Sequence, residues 1–224
     1  MSQSAVPTVS GHGEHHHAYL EHHFAEPEQQ FDAAKIGMWL FLVTEILLFG
    51  GLFVGYGIMH GKFPEAFASA HHHLDRNLGA LNTVVLLVSS FTMVLAVAAA
   101  RAGKQKHLAA LLGGTIALAG VFLVVKYFEY MHKIHEGLLP GKFYAYQGES
   151  LPGEFIFFSF YFMMTGLHGI HVIVGIALIA WLLVRALRGR FSPRYYTPVD
   201  LTGLYWHLVD MIWIFLFPLF YLIT

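Results

Sequence analysis

Polar and apolar positions along this chain fall into blocks and do not alternate with a short period. A polar stretch of about thirty residues comes first, followed by five long apolar runs with short polar connections between them. As helices, all five are long enough to cross a hydrocarbon core of about 30 Å, which takes about 20 residues. The spans are read at about 36–59, 78–100, 108–130, 155–184 and 204–223. The glycines and prolines inside them are compatible with membrane helices. A barrel does not fit, because its strands would alternate polar and apolar over about ten residues. The expected fold is all-α, a polytopic membrane protein built as a bundle of five transmembrane helices. Residues 1–30 are expected to form a mobile His-rich tail and 31–224 the membrane domain.

Charge adds an orientation. The second connection carries Arg101, Lys104 and Lys106, and the fourth carries Arg185, Arg188, Arg190 and Arg194. The third sets Lys133 and Lys142 against Glu136, Glu149 and Glu154. Short basic loops stay inside, so the N-terminus is expected inside and the C-terminus outside. Composition supports a chain with little outside the bilayer. It is 56% hydrophobic and 12% charged, about half the charged share of a soluble domain. A net charge of -1 gives no basic field for a nucleic-acid partner, and the absence of cysteine excludes thiolate chemistry and disulfides. The first residues lack the basic flank and apolar core of a signal peptide, so the first span is expected to act as a retained insertion signal.

Two histidine tracts stand outside the spans: His12, His15, His16, His17, His22 and His23 in the tail, and His71 to His73 in the first connection. Such tracts bind transition metals or are solvated segments with adventitious affinity. No spacing of mixed ligands marks a structural tetrahedral site.

The informative residues are ionisable groups inside the spans, each costing about 3 kcal/mol on insertion scales unless partnered. Glu45 is ten residues past Lys35, about 15 Å along a helix. His168 and His171 share one face of the fourth span, and His207 and Asp210 share one face of the fifth. Lys126 and Glu129 lie near the end of the third, where they can snorkel or pair. Glu45 is open to three readings: a proton-relay carboxyl, an ion or substrate ligand, or a structural carboxyl bonded to a neighbouring helix. The histidines could hold haem or a metal, but the spacing is His-x-x-His and no carboxylate stands three residues before either, unlike paired Glu-x-x-His sites. The other reading is a tether, with Gly166, Gly169 and Gly175 allowing close helix contact. Similar depth predicts that Glu45 lies within hydrogen-bonding distance, directly or through one water, of one of the two imidazoles. Ser89, Ser90, Thr92 or carbonyls near Gly166 and Gly169 are the other candidate partners.

Each span contributes a motif to one resemblance: "GMWLFLVTEILLFGGLF" at 37–53, "LNTVVLLVSSFTM" at 81–93, "KYFEY" at 126–130, "TGLHGIHVIVG" at 165–175 and "YWHLVDMIWIFLFPLFYL" at 205–222. Together they resemble subunit III of haem-copper cytochrome oxidases in its five-helix bacterial form. The resemblance implies an accessory subunit of a proton-pumping terminal oxidase that reduces dioxygen to water, with cytochrome c as donor. It implies no cofactor in this chain, haem and copper in partner subunits, and bound phospholipid. Subunit I is the implied main contact, with subunit II and other complex subunits as further partners, in the bacterial cytoplasmic (inner) membrane. Glu45 matches the family's buried, carbodiimide-reactive carboxyl, and His168, His171, His207 and Asp210 match its fixed polar positions. Glu129 falls in the third motif. None of these is expected to be catalytic; they are read as structural or proton-related. Longer members have seven spans, so lipid contacts of the two missing helices do not carry over. The alternatives are subunit III of a quinol oxidase, the related accessory protein of nitric oxide reductase, and a stand-alone transporter coupled through Glu45. No inverted repeat supports the transporter.

Overall fold

A computed structural model describes residues 24, 26–140, 143–144 and 151–222. The tail histidines, His12 to His23, lie outside the described residues. Five long helices carry the apolar runs: α1 Pro27–Lys62, α3 Arg76–Arg101, α4 Gln105–His135, α5 Glu154–Leu187 and α6 Thr197–Tyr221. A short α2, Pro64–Ala70, and a 3₁₀ turn, His71–His73, fill the first connection. The helices run past the expected spans at most ends. At 1.5 Å per residue the 36 residues of α1 reach about 54 Å, well beyond an apolar core of about 30 Å. Helix α1 begins at Pro27, ahead of the expected boundary at 31.

Local chemistry sets the breaks. Pro64 disfavours a helical conformation at Phe63, which sits at φ -131°, ψ 55° and separates α1 from α2. Asp75 caps α3, its Oδ1 accepting from the amides of Asn77 at 2.8 Å and Leu78 at 3.2 Å. Gly103 and Gly189 follow α3 and α5 with φ of +70° and +66°, the left-handed conformation that closes a helix cheaply only in glycine.

Helices α3, α4, α5 and α6 form a four-membered ring in chain order, each touching the next and α6 returning to α3. Helix α1 lies against α5 and α6, and α2 against α5. Helix α6 is the most enclosed and α1 the least. The outer faces are apolar, with Trp39, Leu47, Phe128, Ile170 and Phe215 all exposed. A continuous apolar exterior is what a lipid surround requires.

The core is aromatic between α5 and α6. Trp206 is buried against Gly175, where an added Cβ would lie 2.6 Å from the indole. That close approach was expected of three glycines and belongs to one. Gly169 has no neighbour within 4 Å of such a Cβ, and at Gly166 the nearest atom is the Tyr130 hydroxyl at 3.7 Å.

Candidate functional site: the polar contacts between helices

The ionisable groups in the spans form separate clusters at successive levels of the bundle. Near the middle of α1 and α5, His171 Nε2 lies 2.9 Å from Glu45 Oε2, and both side chains are largely buried, with 15% and 14% of their surface exposed. The His171 Nδ1 lies 2.8 Å from the Leu167 carbonyl one turn back, so it carries a proton. Nε2 then accepts from a protonated Glu45, or both nitrogens are protonated and Glu45 is ionised. The pair has no net charge in either arrangement, which limits the desolvation that an unpaired charge would suffer there. The Tyr205 hydroxyl donates to the His171 carbonyl at 3.0 Å and ties α6 to the same point. The expected bond between Glu45 and an imidazole is thus present, and His171 is the partner.

His168 turns the other way. It is fully buried, and its Nε2 donates to the Val209 carbonyl of α6 at 3.2 Å. The rings of Phe122 and Trp213 stand 5.4 and 5.2 Å from it. The α3 hydroxyls considered as partners for this histidine are engaged elsewhere. Ser89 accepts from Trp206 Nε1 at 3.1 Å, Ser90 bonds His207 Nδ1 at 2.8 Å, and Thr92 bonds Thr115 of α4 at 2.8 Å. Asp210, one turn beyond His207, is 3% exposed.

A denser cluster joins α4, α5 and α6 toward the end of α4. Lys126 donates to Glu129 Oε2 at 3.0 Å and to the hydroxyls of Tyr161 at 3.1 Å and Tyr221 at 2.9 Å. Those two hydroxyls donate in turn to Glu129 Oε1 at 2.7 and 2.5 Å. Both charged residues are buried. The ammonium uses its three protons and also lies 5.1 Å from the Trp213 ring. Of the two sequence readings, pairing is the one seen, and Lys126 does not snorkel. The Lys-x-x-Glu spacing signals the pair, but nothing local in the sequence assigns Tyr161 and Tyr221 to it. A third cluster lies at the opposite ends of the helices. Asp200 accepts from Arg101 at 2.7 Å, and Lys35 stands 3.8 Å from its other oxygen.

Among the described residues no group of three or more His, Cys, Asp or Glu side chains is placed to hold a metal ion. The histidines in the spans reach carbonyl, hydroxyl and carboxyl groups on other helices. That arrangement can fix helix positions and exchange protons.

The sequence matches the family model for cytochrome c oxidase subunit III over residues 16–224. It is 31% identical to cytochrome c oxidase subunit 3 of Thermostichus vulcanus, covering 86% of this chain and 89% of that one. It is 32% identical to quinol oxidase subunit 3 of Bacillus spizizenii, over 84% of this chain and 85% of the other. A heme-copper oxidase subunit I+III of Aeropyrum pernix is 32% identical over 86% of this chain, which spans 23% of that longer protein. With its five long apolar helices and a match over nearly its whole length, this chain belongs to the cytochrome c oxidase subunit III family.

Proposed function

We propose that the chain is an accessory, cofactor-free subunit of a proton-pumping terminal oxidase, packed on subunit I in a bacterial cytoplasmic membrane. The observation that carries this reading is the fused subunit I+III relative, in which a region similar to 86% of this chain shares one polypeptide with subunit I. The interhelical clusters support a structural part. Glu45 with His171, His168 with Val209, and Lys126 with Glu129, Tyr161 and Tyr221 each bond across a helix seam. On this reading the chain stabilises subunit I, holds phospholipid on its apolar exterior and supports proton uptake, while haem and copper reside in the partners. Subunit II and further subunits complete the complex.

Cytochrome c is the proposed donor. Quinol is the second reading, because a quinol oxidase subunit 3 is as similar to this chain as a cytochrome c oxidase subunit 3. The experiment is purification of the chain, tagged at its C-terminus, from native membranes in mild detergent. Haem-bearing partners should co-elute in constant ratio, and the preparation should oxidise reduced cytochrome c. Oxidation of quinol alone would select the second reading. Elution free of haem proteins would contradict both.

A further inference from the structure

The seam between α3 and α6 opens into a groove of about 300 Å³ on the side of the α3–α4 connection. Val97 and Arg101 of α3 line it with Asp200, Gly203 and His207 of α6. The charged groups in its lining, Arg101 and Asp200, are already paired, and Lys35 of α1 stands 3.8 Å from Asp200. His207 forms part of the wall. Its Nδ1 is committed to the Ser90 hydroxyl at 2.8 Å, which leaves Nε2 for the groove.

Beyond Ser90 lies Asp210. It is 3% exposed, and neither carboxyl oxygen has a hydrogen-bond partner. The Ser90 hydroxyl of α3 is the polar group that faces it. The other acids in the spans are placed differently. Glu129 accepts from three donors, Asp200 from an arginine, and Glu45 meets an imidazole. A carboxyl that served only to hold helices together would be expected to use its oxygens in that way. A permanently ionised one would stand in a low-dielectric core without a counter-charge. The two ionisable groups of α6, one turn apart, therefore flank a single hydroxyl of α3, with the groove on one side and a partnerless carboxyl on the other.

We propose that Asp210 is a proton-exchanging carboxyl, reached from the α3–α6 groove through His207 and Ser90. A proton from groove water binds Nε2 of His207. The Nδ1 proton passes to Ser90 Oγ as the Ser90 hydroxyl proton passes to the Asp210 carboxylate. One proton has entered and one carboxylic acid has formed. His207 is again neutral, now protonated on Nε2, and it regains its first tautomer when the proton is drawn back through Ser90 to Nδ1. The reverse sequence releases the proton to the same side of the membrane. This goes beyond the accessory role proposed above, giving the chain a proton site of its own.

The test is infrared spectroscopy of the intact oxidase complex in its membrane, before and during transfer from H₂O to D₂O. The ratio of tagged chain to haem in each preparation reports assembly separately, so failure to form the complex is not confused with failure of the route. The parent should show a carboxylic-acid C=O band that is absent in Asp210→Asn and shifts on deuteration. His207→Phe and Ser90→Ala should keep the band and slow its shift by about tenfold or more, equivalent to about 1.4 kcal/mol on the barrier. Ser90→Thr, which keeps the hydroxyl, should restore the parental rate. Absence of any band sensitive to Asp210→Asn would overturn the proposal. So would an exchange rate unchanged in Ser90→Ala, a variant small enough to be accommodated even if His207→Phe does not assemble.

Discussion

His171 of α5 and Glu45 of α1 meet at 2.9 Å near the midpoints of both helices. Helix α1 is the least enclosed of the five and does not join the ring of α3 to α6, so its polar links carry weight. A second is the Tyr56 hydroxyl, which donates to the Leu219 carbonyl of α6 at 3.0 Å. Replacing Glu45 by alanine leaves His171 Nε2 unpaired in a largely buried site, at a cost of about 1–3 kcal/mol. We expect Glu45→Ala and His171→Ala each to lower the thermal stability of the complex and weaken retention of this chain. The double variant should cost less than the two singles added. Strict additivity in melting curves would mean that the pair is not coupled.

The Lys126 cluster predicts a larger effect. Glu129→Gln removes the counter-charge of an ammonium that is itself buried, a loss of about 3–5 kcal/mol. Combining Lys126→Met with Glu129→Leu removes both charges, and should be milder than either charge removed alone. Chemical denaturation of the detergent-solubilised chain reads the comparison. Near-neutral single variants would show that the network does not clamp α4 to α5 and α6.

His71 lies outside the spans and predicts a pH dependence. Arg76 Nη2 donates to its Nε2 at 3.0 Å, and its Nδ1 donates to the Ala68 carbonyl at 2.6 Å, so the ring is neutral in the fold. Burial holds its pKa below the ordinary 6.5, the Ala68 carbonyl works against that, and His72 and Arg76 reinforce it. The unfolded connection therefore binds the extra proton first as pH falls. Stability from this site is complete above 6.5 and is lost as pH drops from there toward the lower folded value. Amide-exchange protection of residues 64–75, corrected for intrinsic rates, should fall over that range in the parent and stay flat in His71→Gln. An equal fall in both would assign the effect to another group.

Orientation is testable by reporter fusion. The basic connections at 101–107 and 185–194 lie on the same side of the bundle. An alkaline phosphatase domain should be inactive after Lys104 and active after Thr224. The opposite pattern would reverse the proposed N-inside arrangement.

Much of this was legible in the sequence, for identifiable reasons. Membrane helices must satisfy their own backbone, so long apolar runs marked all five. Equal depth along α1 and α5 was enough to bring Glu45 to a histidine. It could not choose between His168 and His171, because a three-residue step turns the side chain by about 60° and only the packing decides which helix each one meets. His168 accordingly goes to a backbone carbonyl of α6, a partner with no sequence signature. The short α2 was also hidden. Its seven residues read as a polar connection, and its helical state depends on burying Ala66, Phe67 and Ala70, mainly against α5. Tyr161 and Tyr221 looked like ordinary aromatic residues of apolar helices until their hydroxyls were seen converging on Glu129.

The central claim is that this chain supports the oxygen chemistry without carrying any of it. The most direct measurement compares the oxidase purified with and without the chain, reading haem and copper content and the time course of oxygen consumption. The account predicts unchanged haem and copper and an unchanged initial rate, followed by earlier loss of activity during sustained turnover in the depleted enzyme. Loss of haem or copper with the chain, or absence of oxygen reduction from the first turnovers, would contradict it.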